Sequence, residues 1–362
     1  MLVGVLKETK RGEYRVSVTD TSVADLIREG IEVIVETGAG TGVGIEDVHY
    51  SDAGATIATS AQEIFERAEL IVKVKEPTLT ECSLLNSDQT IFCYLHLAAL
   101  PEQTKALCNS GATAIGFETV TREDGKLPLL IPMSKIAGRV GVQSAAYYLQ
   151  RHLGGRGILL GGEDGEKTGK VVIIGGGTAG ESAAKAAIGM GANVVVFDKS
   201  DSRVNILSRL YGDKIKCVNP DDKTFHEQIC DAEIIVGSVL IPGASAPRLI
   251  DRQMLSSIKK GAVLVDIAID QGGCFETSRP TSHDDPVYVV ENILHYCVAN
   301  IPSAVPLTST QTLNRAILPY LKLLAKDGTK RVAEIVDHPL HTGINVHKGS
   351  ITCAPVAEAL RL

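Results

Sequence analysis

Short apolar runs rich in β-branched residues alternate along the whole chain with amphipathic stretches of helical period. The runs predict strands at 2–6, 31–35, 70–74, 90–94, 171–174, 193–197, 233–236, 262–266 and 287–290. Between them, helical patterns fall at 23–29, 61–68, 101–110 and 178–190. Strands separated by helix-length segments imply βαβ units and parallel sheets covered on both faces. The expected class is therefore α/β, with two Rossmann-like domains of parallel strands flanked by helices and the active site in the cleft between them.

Two such alternating runs are present. The first covers residues 1–130; the second follows a small-residue helix at 134–152 and a glycine-rich loop at 154–165, and ends near Pro306. Residues 309–326 then return to a strong helical period with Leu, Ile and Ala on one face. Assigning this helix and the tail to the first run gives a discontinuous substrate-binding, catalytic domain of residues 1–130 plus 307–362. A dinucleotide-binding domain, 131–306, is inserted into it.

The insertion carries the most specific motif. VVIIGGGTAGESAAKAA, from Val171 to Ala187, places Gly175, Gly177 and Gly180 directly after a strand and at the opening of a helix. The first glycine makes the tight turn, the second lets backbone approach a pyrophosphate, and the third lets helix and sheet pack closely. The pyrophosphate would lie on the helix N-terminus, at Thr178 and Ala179, where free N–H groups and the dipole favour an anion. The next strand, NVVVF, runs into Asp198, placed to accept from the adenine ribose hydroxyls. Asp198 repels a 2′-phosphate and favours NAD, although Lys199 and Arg203 are cations that can accommodate one. A second cluster, Gly38, Gly40, Gly42 and Gly44, puts Val43 where a third glycine belongs and reads as a flexible surface loop.

Composition narrows the partners. Lys plus Arg number 36 against 43 Asp plus Glu, so the net charge is -7, which argues against nucleic acid as a partner. Aromatic residues are 4% with no Trp, leaving little for stacking on bases. The longest charge-free stretch, 292–314, is interrupted by Pro302 and Pro306, and no segment reads as a membrane span. Met1 to Lys7 lack the basic and long apolar regions of a signal peptide. Eight cysteines are scattered without a C-x-x-C pair, which reads as reduced thiols in a cytoplasmic protein and as no metal site.

Four polar groups occupy the carboxyl ends of predicted strands, where ligands bind in open parallel sheets. Arg15 lies in KETKRGEYR after the first strand, Lys75 closes LIVKVK, His96 closes the strand in YLHLAA, and Asp270 follows AVLVDIAI. A guanidinium can grip a carboxylate bidentately, and an ammonium can bind the same group or polarise an adjacent carbonyl. Histidine exchanges protons near neutral pH, and a carboxylate can order water and stabilise a cationic imine. Singly, each has a plainer reading: Arg15 and Lys75 as solvated charges, His96 as a core histidine, Asp270 as a cap of the Gln271-Gly272-Gly273 turn.

With these residues in hand, the sequence closely resembles the bacterial L-alanine dehydrogenases. The likeness is carried by KETKRGEYRVSVT, EPTLTE after Lys75, YLHLAA, IPMSKIAGRVGVQ, IGGGTAG, VGSVLIPGASAP, VDIAIDQGGCFETSRPTSHDDP and YCVANIPSAVPLTST. It implies reversible oxidative deamination of L-alanine to pyruvate and ammonium, through iminopyruvate, coupled to NAD reduction. It also implies Arg15 and Lys75 as the substrate-binding pair and His96 and Asp270 as the catalytic acid/base residues. Further NAD contacts implied are Ser134, Asp198, Arg203, Val239, Leu240, Ile267, Ala268, Ile269, Asp270, Arg279, Val298, Ala299, Asn300 and Ile301. Asn219, after the strand KIKCV, stands where a hydroxyl residue near the adenosine is expected. Homohexamers are typical of the family. The NAD-binding component of a nicotinamide nucleotide transhydrogenase is the alternative; Lys75 and His96 favour the dehydrogenase.

Overall fold

The computed structural model describes residues 1–220, 222–239 and 246–361. Its contacts divide the chain into two compact units, Met1–Pro132 with Val305–Leu362, and Met133–Ala304. In chain order the strands are β1 Val3–Val5, β2 Val33–Glu36, β3 Thr56–Ala58, β4 Leu70–Val72, β5 Thr90–Cys93, β6 Thr113–Gly116, β7 Lys170–Ile174 and β8 Asn193–Phe197. They continue as β9 Lys216–Val218, β10 Ile234–Gly237, β11 Val263–Asp266, β12 Val287–Val290, β13 Ile293–Tyr296, β14 Ile344–His347 and β15 Ser350–Ile351.

The first unit's sheet has the order β3-β2-β1-β4-β5-β6-β14-β15 and is parallel from β3 to β6. Chain direction across the sheet reverses between β1 and β4, a topological switch point where a crevice opens at the carboxyl ends. The central strands β1, β4, β5 and β6 are buried on both faces, as all-apolar runs such as Leu70–Val72 require. One side of the sheet is filled by Leu6, Ile34, Ile71, Ile91, Cys93 and Leu107 with Val346 and Val356 from the tail.

The second unit's sheet, β12-β13-β11-β10-β7-β8-β9, has its own switch point between β7 and β10. From β9 to β13 it is the doubly wound order of dinucleotide-binding sheets. Val172, Phe197, Ile235, Leu264 and Phe275 centre its core.

Both sheets depart from the all-parallel expectation at their edges. β12 pairs antiparallel with β13, and β14 pairs antiparallel with both β6 and β15. Glu291-Asn292 and Lys348-Gly349 each adopt positive φ in succession, the conformation of a two-residue hairpin turn, which can only join antiparallel neighbours. The helix expected at 134–152 runs over Ile131–Tyr148 and gives way to a short 3-10 turn at Arg151–Leu153. The helix expected at 309–326 starts earlier, with Pro306 at its first position, and runs to Glu334 with a break at Gly328.

Candidate active site

At the switch point of the first sheet, Arg15 and Lys75 are buried, only 2% and 7% exposed, so neither is a solvated loop charge. Burial of a guanidinium costs heavily unless it is paired, and Glu13 supplies the partner. Arg15 Nε donates to Glu13 Oε1 at 2.6 Å and Nη2 to Oε2 at 2.5 Å. Burial opposes the Arg15 charge, but the Glu13 bonds and charge outweigh it and raise the pKa above the ordinary arginine value. Lys75 lies 3.8 Å from Glu76 Oε2, and Lys10 donates to Glu76 Oε1 at 2.6 Å. Burial raises the Glu76 pKa, yet the Lys75 charge and the Lys10 bond override it and hold the carboxyl below its usual range.

Glu8 joins the two strand ends. Its Oε1 accepts from the backbone N–H of Val74 at 2.5 Å and of Lys75 at 3.4 Å. Burial pushes this carboxyl up to about 7 against the opposing Lys73 charge. Lys7, Glu8, Lys10, Glu13 and Arg15 line a cavity of about 320 Å³, whose other wall is the loop from Gly38 to Gly42. That loop is packed rather than loose: a Cβ on Gly42 would meet Tyr14 O at 2.4 Å, so only glycine lets it lie on the Arg15 segment. The glycine cluster read as a free surface loop is therefore a wall of the basic pocket.

His96 is half-buried just beyond β5, with φ 50 and ψ 33. Its ring stacks on Tyr94 at 5.9 Å between centroids and 9° between planes. Tyr94 OH donates to Leu129 O at 2.7 Å, and Phe117 abuts the Tyr94 ring edge-on. Tyr94 and Glu8 both act on the Arg15 charge.

In the second unit the glycine turn follows β7 and opens the helix Thr178–Gly189. A Cβ on Gly180 would lie 1.8 Å from Gly175 O, which fixes the third glycine. Gly177 is the N-cap, contributes no side-chain cap, is exposed, and has open space where its Cβ would project. The first turn of the helix thus presents its N–H groups to a cradle that suits a pyrophosphate. Asp198 accepts from Gly176 N at 2.7 Å and Ser200 N at 2.9 Å, which locks the carboxylate at the end of β8. Arg203 donates from Nε to Gly176 O at 2.5 Å and pairs with Glu181. Asn219 donates to Asp201 Oδ1 at 2.7 Å.

At the switch point itself, Ser238 donates to the Ile174 and Gly175 carbonyls, and Val239 lies against Gly175. Leu240 lies outside the described residues. Asp266, fully buried at the end of β11, accepts from Ala268 N at 3.1 Å, Cys274 N at 2.7 Å and Ser278 OH at 2.5 Å. Burial raises its pKa against those bonds. Both sides of the loop bearing Ile267, Ala268, Ile269 and Asp270 are so tied to one carboxylate. Asp270 is exposed on a 3-10 turn, Ile269–Gln271, and Gly272 beyond it is left-handed. Arg279 lies 4.0 Å over the Tyr288 ring. Val298 bridges Thr281 after β13, Ala299 and Asn300 are half-buried, Asn300 has φ 65, and Ile301 begins a buried turn. Ser134 is half-buried on the helix Ile131–Tyr148.

Glu8, Glu13, Glu118, Ser238 and Asp266 escaped the sequence reading. Glu8 and Glu13 lie inside KETKRGEYR, where a buried cation demands a counter-ion; Ser238 and Asp266 close strands β10 and β11 and were readable by the same strand-end rule. Among the described residues no cluster of three or more His, Cys, Asp or Glu could hold a metal ion. No helix there is long and apolar enough to cross a membrane.

A sheet closing on a basic pocket and a second sheet with a complete dinucleotide fingerprint define a two-unit, nucleotide-dependent α/β enzyme. The chain belongs to the alanine dehydrogenase/PNT family: the N-terminal domain of that family matches residues 4–137 and the C-terminal domain residues 141–354. It is 48% identical over 362 residues to an alanine dehydrogenase of Halomonas elongata, covering 100% of this chain and 97% of the relative. An alanine dehydrogenase of Mycolicibacterium smegmatis is 46% identical over the same shares. A solved L-alanine dehydrogenase superposes with a TM-score of 0.94 at 44% identity, covering 100% of this chain and 99% of that one. A solved transhydrogenase from Sinorhizobium meliloti gives 0.82 at 26% identity, covering 98% and 99%.

Proposed function

We propose that this chain catalyses the reversible NAD-dependent oxidative deamination of L-alanine to pyruvate and ammonium. The observation that carries the reading is the buried Arg15 and Lys75 pair at the switch point of the first sheet. A buried guanidinium on the wall of a small cavity, with a buried ammonium at the next strand end, suits a short 2-oxo or 2-amino carboxylate. The full-length likeness to alanine dehydrogenases supports the same substrate, and a transhydrogenase has no need of such a carboxylate pocket.

In this reading Arg15, held by Glu13, and Lys75 bind the substrate carboxylate. Bound NAD would supply the hydride acceptor for the substrate α-carbon. Gly175, Gly177, Thr178, Ala179 and Gly180 would cradle its pyrophosphate, and Asp198 would accept from its adenosine ribose. Arg203, spent on Gly176 O and Glu181, is no longer aimed at a 2′-phosphate, which favours NAD over NADP. Val239, residues 267–270, Arg279, residues 298–301 and Ser134 would complete the coenzyme contacts. His96 takes the proton from the water that adds to iminopyruvate, and Asp270 orients that water and stabilises the iminium charge. His96 then returns that proton to the amino nitrogen of the carbinolamine, the C–N bond breaks, and the hydroxyl proton leaves with the amine, giving pyruvate and ammonium. The eight free thiols suit a reducing cytoplasm, and we extend the family's homohexamer to this chain, checked by light scattering.

Mixing NADH, pyruvate and ammonium should consume NADH absorbance only when both co-substrates are present, and His96→Ala should cut turnover by roughly 10²-fold or more. Consumption of NADH by a second nucleotide instead, without pyruvate, would transfer the chain to the transhydrogenase reading.

A further inference from the structure

We infer that Glu118 is a positioning residue that holds His96 in its working conformation; the inference rests on the catalytic role proposed for His96. His96 is left-handed, a backbone state that residues other than Gly, Asn and Asp seldom visit. Such a state persists only where the surroundings over-determine it, and it concentrates at functional sites. Glu118 supplies the determination. Its Oε1 accepts from His96 N at 2.7 Å and from Leu95 N at 3.1 Å, and its Oε2 accepts from Leu95 N at 3.2 Å. Two successive N–H groups converging on one carboxylate form an anion-binding nest closed by the protein's own side chain.

The carboxylate reaches this nest from the neighbouring strand. Glu118 lies on the 3-10 turn Phe117–Thr119 that follows β6, which is hydrogen-bonded to β5. Phe117, one residue earlier, buttresses the Tyr94 ring on which His96 stacks. One turn therefore controls both the backbone of His96, through Glu118, and the plane of its imidazole, through Phe117 and Tyr94. Without the carboxylate, the N–H groups of Leu95 and His96 lose their acceptor and the left-handed turn loses its reason. Relaxation to the right-handed or extended region would swing the imidazole off Tyr94 while leaving Arg15 and Lys75 where they are.

A double-mutant cycle on the full-length enzyme tests this, with kcat and KM for pyruvate from NADH oxidation and NADH affinity from fluorescence titration. Glu118→Ala should lower kcat by about 10²-fold, the size of a misplaced catalytic group, with NADH affinity unchanged and KM for pyruvate within about 3-fold. On a His96→Ala background the same change should cost less than about 2-fold, because the group it positions is gone. Glu118→Gln keeps one acceptor oxygen and should recover kcat to within about 10-fold of the parent. Equal losses from Glu118→Ala with and without His96 would overturn the positioning role. A His96→Ala enzyme with near-parental turnover would instead remove the catalytic reading of His96, a distinguishable failure. Should Glu118→Ala not fold, Glu118→Gln carries the same cycle: a loss confined to the parent supports the role, and an equal loss in both overturns it.

Discussion

Glu8 shows how a single carboxyl in the basic pocket couples the site to stability. One oxygen is held by the N–H groups of Val74 and Lys75, while the other is buried with no hydrogen-bond partner among the described residues. Its carboxyl is raised from 4.5 to about 7, chiefly by burial. The folded state therefore binds the proton more tightly than the unfolded chain. The contribution from this residue is fully favourable below about pH 4.5 and is lost as pH rises through 7. Ionising it in place costs up to about 3 kcal/mol. Glu8→Gln should lack this term, so the melting temperature of the variant should exceed the parent's at pH 8 and the gap should close toward pH 4.5. A gap that does not change with pH would show that Glu8 is ionised throughout. The same residue shows why part of the pocket was hidden in the sequence. Arg15, Lys75 and His96 could be picked because strand ends gather ligands, but the carboxylates that hold their side chains or backbone lie in loops without periodicity. Burial, which turns Glu8 and Glu13 from surface acids into structural ones, is not visible until the chain is folded.

The loop that follows β11 is organised by Asp266, whose carboxylate collects Ala268 N, Cys274 N and Ser278 OH. Those bonds fix the turn that presents Ile269 and Asp270. Asp266→Asn replaces one acceptor by an NH₂ facing donors, leaving a buried N–H unsatisfied, at a cost of about 1–3 kcal/mol. NADH affinity should weaken by about 10-fold, equivalent to ~1.4 kcal/mol, and the melting temperature should fall. Unchanged NADH titration in a destabilised variant would mean that the loop keeps its shape without Asp266. At this scale the sequence was most informative where period and boundary signals agree. The helix Pro101–Ser110, opened by a proline and closed by left-handed Gly111, and the strand before the glycine turn fall where they were expected. Strands β3, β6 and β15 are short and lean on neighbours for their pairing, so their local pattern is weak. The turn Glu291-Asn292 lacks the glycine that marks most hairpins, and the antiparallel edge it creates went unread.

The first unit is closed by residues from both ends of the chain, and the pocket depends on that closure. β14 extends the sheet from β6, while the helix Pro306–Glu334 stitches down the segment that carries Arg15. Thr310 Oγ1 accepts from Val16 N at 3.2 Å, and Asn314 Nδ2 donates to Ser17 O. Asn314 Oδ1 in turn accepts from the hydroxyls of Ser22 and Thr19. The residues immediately after Arg15 are thus held by a helix almost the whole chain away. Helical period alone revealed that helix but could not say what it touches, because an apolar stripe does not name its partner. Asn314→Leu deletes the donor to Ser17 and the acceptor for Ser22 in a buried site, and should destabilise the protein by about 2–3 kcal/mol. If the stitch sets the position of the guanidinium, KM for pyruvate should also rise several-fold, with NADH affinity unchanged and kcat at saturation little altered, the signature of lost substrate binding. A lower melting temperature with KM for pyruvate unchanged would show that the Glu13 pair alone positions Arg15 and that the long helix serves only to close the sheet.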